Sequence, residues 1–356
     1  MGRAARCRPA ALSSIGRMPG FPPPASPSPA SSPSPRSRLR HWWARRRPAS
    51  GTAVMATGIV SVGLHLAGHE ALSRVWLAMA GIAWVALAAD FVVRLVREPE
   101  RWRAEAGTPG ALTAVAATAV LGTQISARGR QPLAEALLAL AAALWPVLFV
   151  TVVRRWKRRM PGAVFLCCVA TQSLAVLGAV LAKAEAAAWL AHTALVLFWL
   201  GLVLYAVALG LFDFRQPAEG AGDQWVAGGA LAVCALAGAK LLMADDGALY
   251  LWNADDTGVL RGLTVALLVL DYVWYAVLLV AEVRWPRPRY DERRWSTVFP
   301  MGMTAAATLS VAAAVDLPAL HGPGEVLLWV AVAAWLVVAA AAVGSVRAGV
   351  RSRAPR

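Results

Sequence analysis

The sequence predicts an all-α membrane protein: ten transmembrane helices as five helical hairpins, odd helices lining a central pore, even helices outside. Three observations predict it. Hydrophobic residues make up 58% of the 356 residues and charged ones only 15%, against roughly 25% charged in soluble domains. The apolar residues fall in runs of about 18 to 25, the length that crosses a ~30 Å hydrocarbon core as a helix. Finally, Gly, Ser, Thr and Gln number 28 in the odd runs and ten in the even ones, so two kinds of helix alternate.

Residues 1–48 are Pro, Ser, Ala and Arg, with Phe21-Pro22-Pro23-Pro24 among them. Too poor in apolar residues for a core, they are expected to form a disordered basic cytoplasmic tail. Arg45-Arg46-Arg47 lacks the apolar residues that follow the arginines of an export signal, and reads instead as a cytoplasmic anchor. The transmembrane domain is expected over 49–346, with spans at 50–66, 73–95, 109–127, 132–153, 161–181, 187–211, 225–243, 259–283, 295–315 and 325–345. A basic cytoplasmic tail, 347–356, closes the chain. The even spans carry mid-span tryptophans, Trp84, Trp145, Trp199, Trp274 and Trp335, bulky surface suited to lipid or to packing against neighbours. Small residues in the odd spans allow close approach, and their hydroxyl and amide groups tolerate a water-filled lumen. Close packing with no lumen would account for them equally. The external connections 1–2, 3–4 and 5–6 are short, as hairpins require, although no residue-level repeat is visible.

The net charge of +15 resembles a nucleic-acid signal until it is located. Residues 1–49 hold ten Arg and no acid, which leaves a net +5 for the rest, so the basicity lies in tails and loops. With the amino terminus in the cytoplasm, 29 of the 35 Lys and Arg fall on the inner side. Only Arg74, Arg128, Arg130, Lys183, Lys240 and Arg261 lie outward, where Asp245, Asp246, Asp255, Asp256 and Asp316 gather. The positive-inside rule therefore puts both termini in the cytoplasm of a multi-pass protein of the inner or plasma membrane.

Cys7, Cys167, Cys168 and Cys234 have no disulfide or metal spacing. No HExxH, CxxC or GxxxxGK[ST] pattern occurs, so neither metal chemistry nor nucleotide-driven pumping has support, and no cofactor is called for. What is left is passive or ion-coupled transport rather than enzymatic chemistry.

Val54-Met55-Ala56-Thr57-Gly58-Ile59-Val60-Ser61 in span 1, with Arg294-Trp295-Ser296-Thr297-Val298-Phe299-Pro300-Met301-Gly302 and Ala305-Ala306-Ala307-Thr308-Leu309 in span 9, resembles the tellurite-resistance/C4-dicarboxylate transporter family, which includes the slow anion channels of plant guard cells. The resemblance covers residues 50 to about 345. It implies a homotrimer whose protomers each hold a pore lined by the odd helices, with the phenylalanine of the WxxxFP pattern, here Phe299, blocking it at mid-membrane. The family often carries an aromatic residue two or three positions earlier, where this chain has Ser296 and Thr297.

Pro300 cannot donate its backbone hydrogen bond, which frees the Ser296 carbonyl and kinks the helix around Phe299. Phe299 is then either a gate, with Pro300 aiming it across the lumen, or an ordinary packing aromatic. The candidates for the pore lining are Thr57, Gly58, Ser61, Thr118, Gly122, Thr171, Gln172, Gly238, Lys240 and Gly302. Lys240 either snorkels toward Asp245 or Asp246 or faces the pore as an anion attractor. His65 and His192 read as interfacial residues rather than proton carriers. Asp90 and Asp271, in even spans, either relay protons or pair, Asp90 with Arg94 and Asp271 with another helix. Because no acid sits mid-way along an odd span, the pathway suits anions. The expected function is a channel or permease for a small anion such as halide, nitrate, sulfite, a dicarboxylate or tellurite. The alternatives are a proton-coupled dicarboxylate or tellurite transporter and a non-transporting membrane scaffold. The expected partners are such an anion and the lipid bilayer, with no nucleic acid.

Overall fold

The computed structural model describes residues 50–219, 222–245, 254–286 and 290–351. The expected tail 1–48, residues 352–356 of the expected tail 347–356, and Asp246 lie outside them, while residues 347–351 continue the last helix. Ten helices carry the fold: α1 Ser50–Leu66, α2 Glu70–Arg97, α3 Thr113–Ser126, α4 Gln131–Val153, α5 Leu166–Glu185, α6 Ala188–Leu211, α7 Val226–Ala244, α8 Ala254–Arg284, α9 Trp295–Ala314 and α10 His321–Arg351. Among the described residues there is no strand, only one isolated bridge between Met160 and Phe212. This is an all-α membrane protein.

Eight of the helical spans are long and apolar enough to cross a bilayer by themselves. The other two are shorter, α1 with 17 residues and α3 with 14. At ~1.5 Å per residue α3 alone spans about 21 Å. The 3-10 turn Pro109–Leu112 that leads into it adds about 8 Å more at ~2 Å per residue, which brings it near membrane thickness.

The helices sort into two shells. In an 18-residue apolar stretch of Gly162–Glu185, 94% is buried, whereas in one of Glu70–Arg97 only 6% is. The odd helices close a ring, α1 against α3, α3 against α5, α5 against α7, α7 against α9, and α9 back against α1. Each even helix packs on the odd helix before it and leans on the odd helix after it. Val85, Val147, Val203, Val277 and Val337 stand exposed on the even helices. In water such a surface would be an aggregation hazard, and in a bilayer it is the surface that lipid wets.

Glycine sets how closely the ring closes. A Cβ on Gly58 would come within 2.8 Å of Val120, on Gly122 within 2.6 Å of Leu177, and on Gly302 within 2.9 Å of Ile59. These are the α1–α3, α3–α5 and α9–α1 seams.

The hairpin repeat, hidden in the residue order, is plain in the backbone. The four turns that join α1 to α2, α3 to α4, α5 to α6 and α9 to α10 each contain one left-handed residue, Gly68, Gly129, Ala186 and Asp316, which lets the chain reverse within a few residues. A short 3-10 turn leads into each of α3, α5, α7 and α9: Pro109–Leu112, Gly162–Phe165, Asp223–Trp225 and Glu292–Arg294.

Candidate functional site

The odd helices meet around a narrow axial cavity. Ile59 and Val62 of α1, Val120 and Thr123 of α3, Ser173 and Val176 of α5, Val233, Leu236 and Lys240 of α7, and Met303 of α9 line it. About 20 Å³ of it is open to water, room for roughly one molecule. The wall is mostly aliphatic, with two hydroxyls and one ammonium.

Side chains four residues earlier lie on the same helix faces, one turn and ~6 Å nearer the arginine-rich side. From Met303, Val233, Ile59, Val120 and Ser173 that step reaches Phe299, Gly229, Met55, Ala116 and Val169. Phe299, Met55, Ala116 and Val169 are each 0% exposed and belong to one buried cluster. A Cβ on Gly229 would meet Phe299 Cε1 at 3.0 Å and Pro300 Cγ at 2.9 Å. Small residues on α3 and α7 thus leave the space that the Phe299 ring fills, directly beneath the cavity. Pro300 lies against the same glycine.

The threonines expected in the pore wall have another task. Trp84 Nε1 of α2 donates to Thr118 Oγ1 of α3 at 2.9 Å, and Trp145 of α4 donates to Thr171 of α5 at 2.9 Å. Trp335 of α10 donates to Thr57 of α1 at 3.0 Å. Tyr272 of α8 and Thr308 of α9 are 2.8 Å apart. Each of these threonines spends its own proton on the carbonyl four residues back, so the aromatic partner must be the donor. Four outer helices are therefore strapped to the next inner helix. Between α6 and α7 the amide of Gln172 does the joining, donating to Phe198 O at 3.0 Å and toward Cys234 Sγ at 3.3 Å.

A strapped threonine points outward, and two positions on, ~200° around the helix, the side chain points to the axis. Ile59, Val120 and Ser173 follow Thr57, Thr118 and Thr171 by that step. The signal was present in the sequence but had no reference direction until the partner tryptophans were placed.

The other candidates are dispersed. Gly58, Gly122 and Gly302 are seam residues, and Gly238 faces Thr264 of α8. Ser61 donates to Ser73 O at 2.7 Å. Lys240 alone among the pore-lining candidates lines the cavity. It makes no ion pair with Asp245 among the described residues, and Lys183 of α5 lies within electrostatic range. His65 pairs with Glu70 at the carboxyl-terminal end of α1, and exposed His192 bonds Ala188 O at 2.7 Å.

Several charges at the two ends of the helices have partners. On the arginine-rich side Arg94 bridges Asp90 and Glu105, each at 2.8 Å, as expected for Asp90. Arg293, in the 3-10 turn before α9, is pushed above its ordinary range by its hydrogen bond with Asp291. In the turn between α3 and α4 Arg128 donates to Ser73 Oγ at 2.8 Å, and burial lowers its affinity for the proton. Asp271 departs from expectation: it is 0% exposed and neither carboxylate oxygen has a hydrogen-bond partner among the described residues.

The odd helices form a five-membered ring around an apolar cavity whose wall carries one cation, and the profile of the voltage-dependent anion channel family matches residues 46–343. The chain belongs to that family. The match runs from just before α1 into α10, so both shells are included. It agrees with the resemblance read from the span 1 and span 9 motifs. Two uncharacterized membrane proteins of Mycobacterium tuberculosis, from strains CDC 1551 / Oshkosh and H37Rv, are also similar. Each is 31% identical over 140 residues, 38% of this chain and 68% of its own length.

Proposed function

We propose that this family member passes a small anion, such as halide, nitrate, sulfite, a dicarboxylate or tellurite, through the centre of each protomer, and that Phe299 closes the path at rest. The protomer would cross the inner or plasma membrane ten times over residues 49–346, with both tails in the cytoplasm, and assemble as a homotrimer. The observation that carries this reading is Phe299 on the Met303 face of α9, packed over Gly229 beneath the cavity. Above it the path has no acid on its wall and one cation, Lys240, a bias toward anions. Below it a ring replaces the water an anion needs.

Phe299→Ala tests the gate in planar bilayers or liposomes. It should raise anion current several-fold over the wild type at equal protein level and trimer yield. A packing phenylalanine would respond by losing about 3 to 5 kcal/mol of stability with no added current. Loss of trimer with unchanged conductance therefore sinks the gate. A proton-coupled reading of the same scaffold is favoured by one observation, the unpartnered buried Asp271.

A further inference from the structure

The most unusual group in the molecule is the carboxyl of Asp271. It sits mid-way along α8, fully buried against α7 and α9. Gly228 of α7 lies beside it: a Cβ built there would be in ordinary contact with Oδ1 at 3.8 Å and tight against Trp274 Cδ1 at 3.1 Å. The Thr304 hydroxyl of α9 lies beside it, also without a well-formed hydrogen bond. The indole N–H groups of Trp225 and Trp274, on the same face of the α7–α8 contact, likewise lack partners among the described residues.

Among the described residues no compensating cation faces this carboxyl. The α7 stretch before Lys240 carries only Cys234 as a titratable group, and α9 from Trp295 to Ala314 carries none. Tyr205 of α6 and Tyr272 and Tyr275 of α8 are within electrostatic range, all neutral phenols at physiological pH. Glu282 and Arg294, toward the inner face, pair with each other. A metal or sodium ion would need several oxygen ligands, and beyond the carboxyl and Thr304 the neighbours are N–H donors that repel a cation. Of the species that could neutralise Asp271 in place, a proton fits the space and the donor set.

We propose that Asp271 is an intramembrane proton-binding site, and that binding and release of this proton change the packing of α8 against α7 and α9 and thereby modulate anion passage. Protonated, the carboxyl is neutral and rests against Gly228 and Thr304. Ionised, it gives its proton to entering water and becomes acceptor-only, and the idle indole N–H of Trp274 is the donor that can turn toward it. Either change acts on the Gly228–Gly229 edge of α7, where Pro300 and the Phe299 ring rest. The effect on flux rests on the channel reading above, whereas proton binding does not.

Two measurements test it. In native membranes the apolar reagent dicyclohexylcarbodiimide, which modifies protonated carboxyls in hydrocarbon, should give a mass-spectrometric adduct on the Asp271 peptide at neutral pH that fades as pH is raised. In liposomes, wild-type anion flux should change several-fold across the same pH range, Asp271→Asn should be flat, and Asp271→Glu should keep a pH response. Absence of an adduct at every pH overturns the proposal, and so does an Asn variant that retains the wild-type pH profile. Should Asp271→Asn fail to fold, labelling of the wild type and the Glu profile still decide. A protein that labels but passes no anion defeats the channel reading and leaves the proton site standing.

Discussion

Lys240 is the residue whose meaning depends most on its surroundings. On α7 it is a cation within an apolar helix, and such a charge must reach an interface or face water. It lines the axial cavity, free of Asp245 among the described residues and within electrostatic range of Lys183 of α5. An ammonium on the path proposed above would raise the local concentration of anions, and mobile ions would screen that field over ~10 Å at 0.1 M. Lys240→Gln should therefore lower anion flux several-fold at low ionic strength and little at high. Equal flux at all salt concentrations would leave Lys240 with an anchoring role alone. Phe299 illustrates the same dependence, because burial alone does not distinguish a packing ring from the proposed gate; its place beside Gly229 and below the cavity lining is what supports the proposal.

Among the elements, the repeated unit is an outer helix hydrogen-bonded to the next inner helix, Trp84 to Thr118, Trp145 to Thr171, Trp335 to Thr57 and Tyr272 to Thr308. Lipid offers an indole N–H no partner, so each bond fixes the rotation of two helices as well as their contact. Trp145→Phe keeps the ring but removes the donor, and should destabilise the protein by about 1 kcal/mol. Trp199→Phe is the control, since Trp199 is 46% exposed and gives no hydrogen bond among the described residues. Unfolding midpoints in detergent compare the two, and equal shifts would show that the straps contribute nothing beyond ring packing.

For the whole molecule the governing asymmetries are radial and vertical. Radially, small residues face the seams of the odd-helix ring and branched aliphatics stand exposed on the even helices. Vertically, the arginine-rich connections share one side, including Arg154, Arg155, Arg158 and Arg159 after α4. A cysteine at Lys157, exposed between α4 and α5, should resist an impermeant thiol reagent added outside intact cells, and one at Arg130, exposed between α3 and α4, should react. Reversed labelling would invert the assigned orientation and turn the Lys240 mouth to the cytoplasm.

The sequence by itself determined the class, the spans, the alternation of two helix kinds and the motif carrying Phe299 and Pro300, because hydrocarbon forces apolar length and buried seams force small residues wherever they occur. It also paired Asp90 with Arg94, a contact that helical spacing alone implies. The tertiary structure alone decided which way each inner helix is rotated. A period of 3.6 tells which residues share a face but not where that face points, so Thr57, Thr118 and Thr171 read as pore wall until tryptophans on other helices claimed them. The lining passed to Ile59, Val120 and Ser173, two positions further on. The same limit hid Asp271, whose isolation among the described residues is a fact about α7 and α9, which pack against it from elsewhere in the sequence.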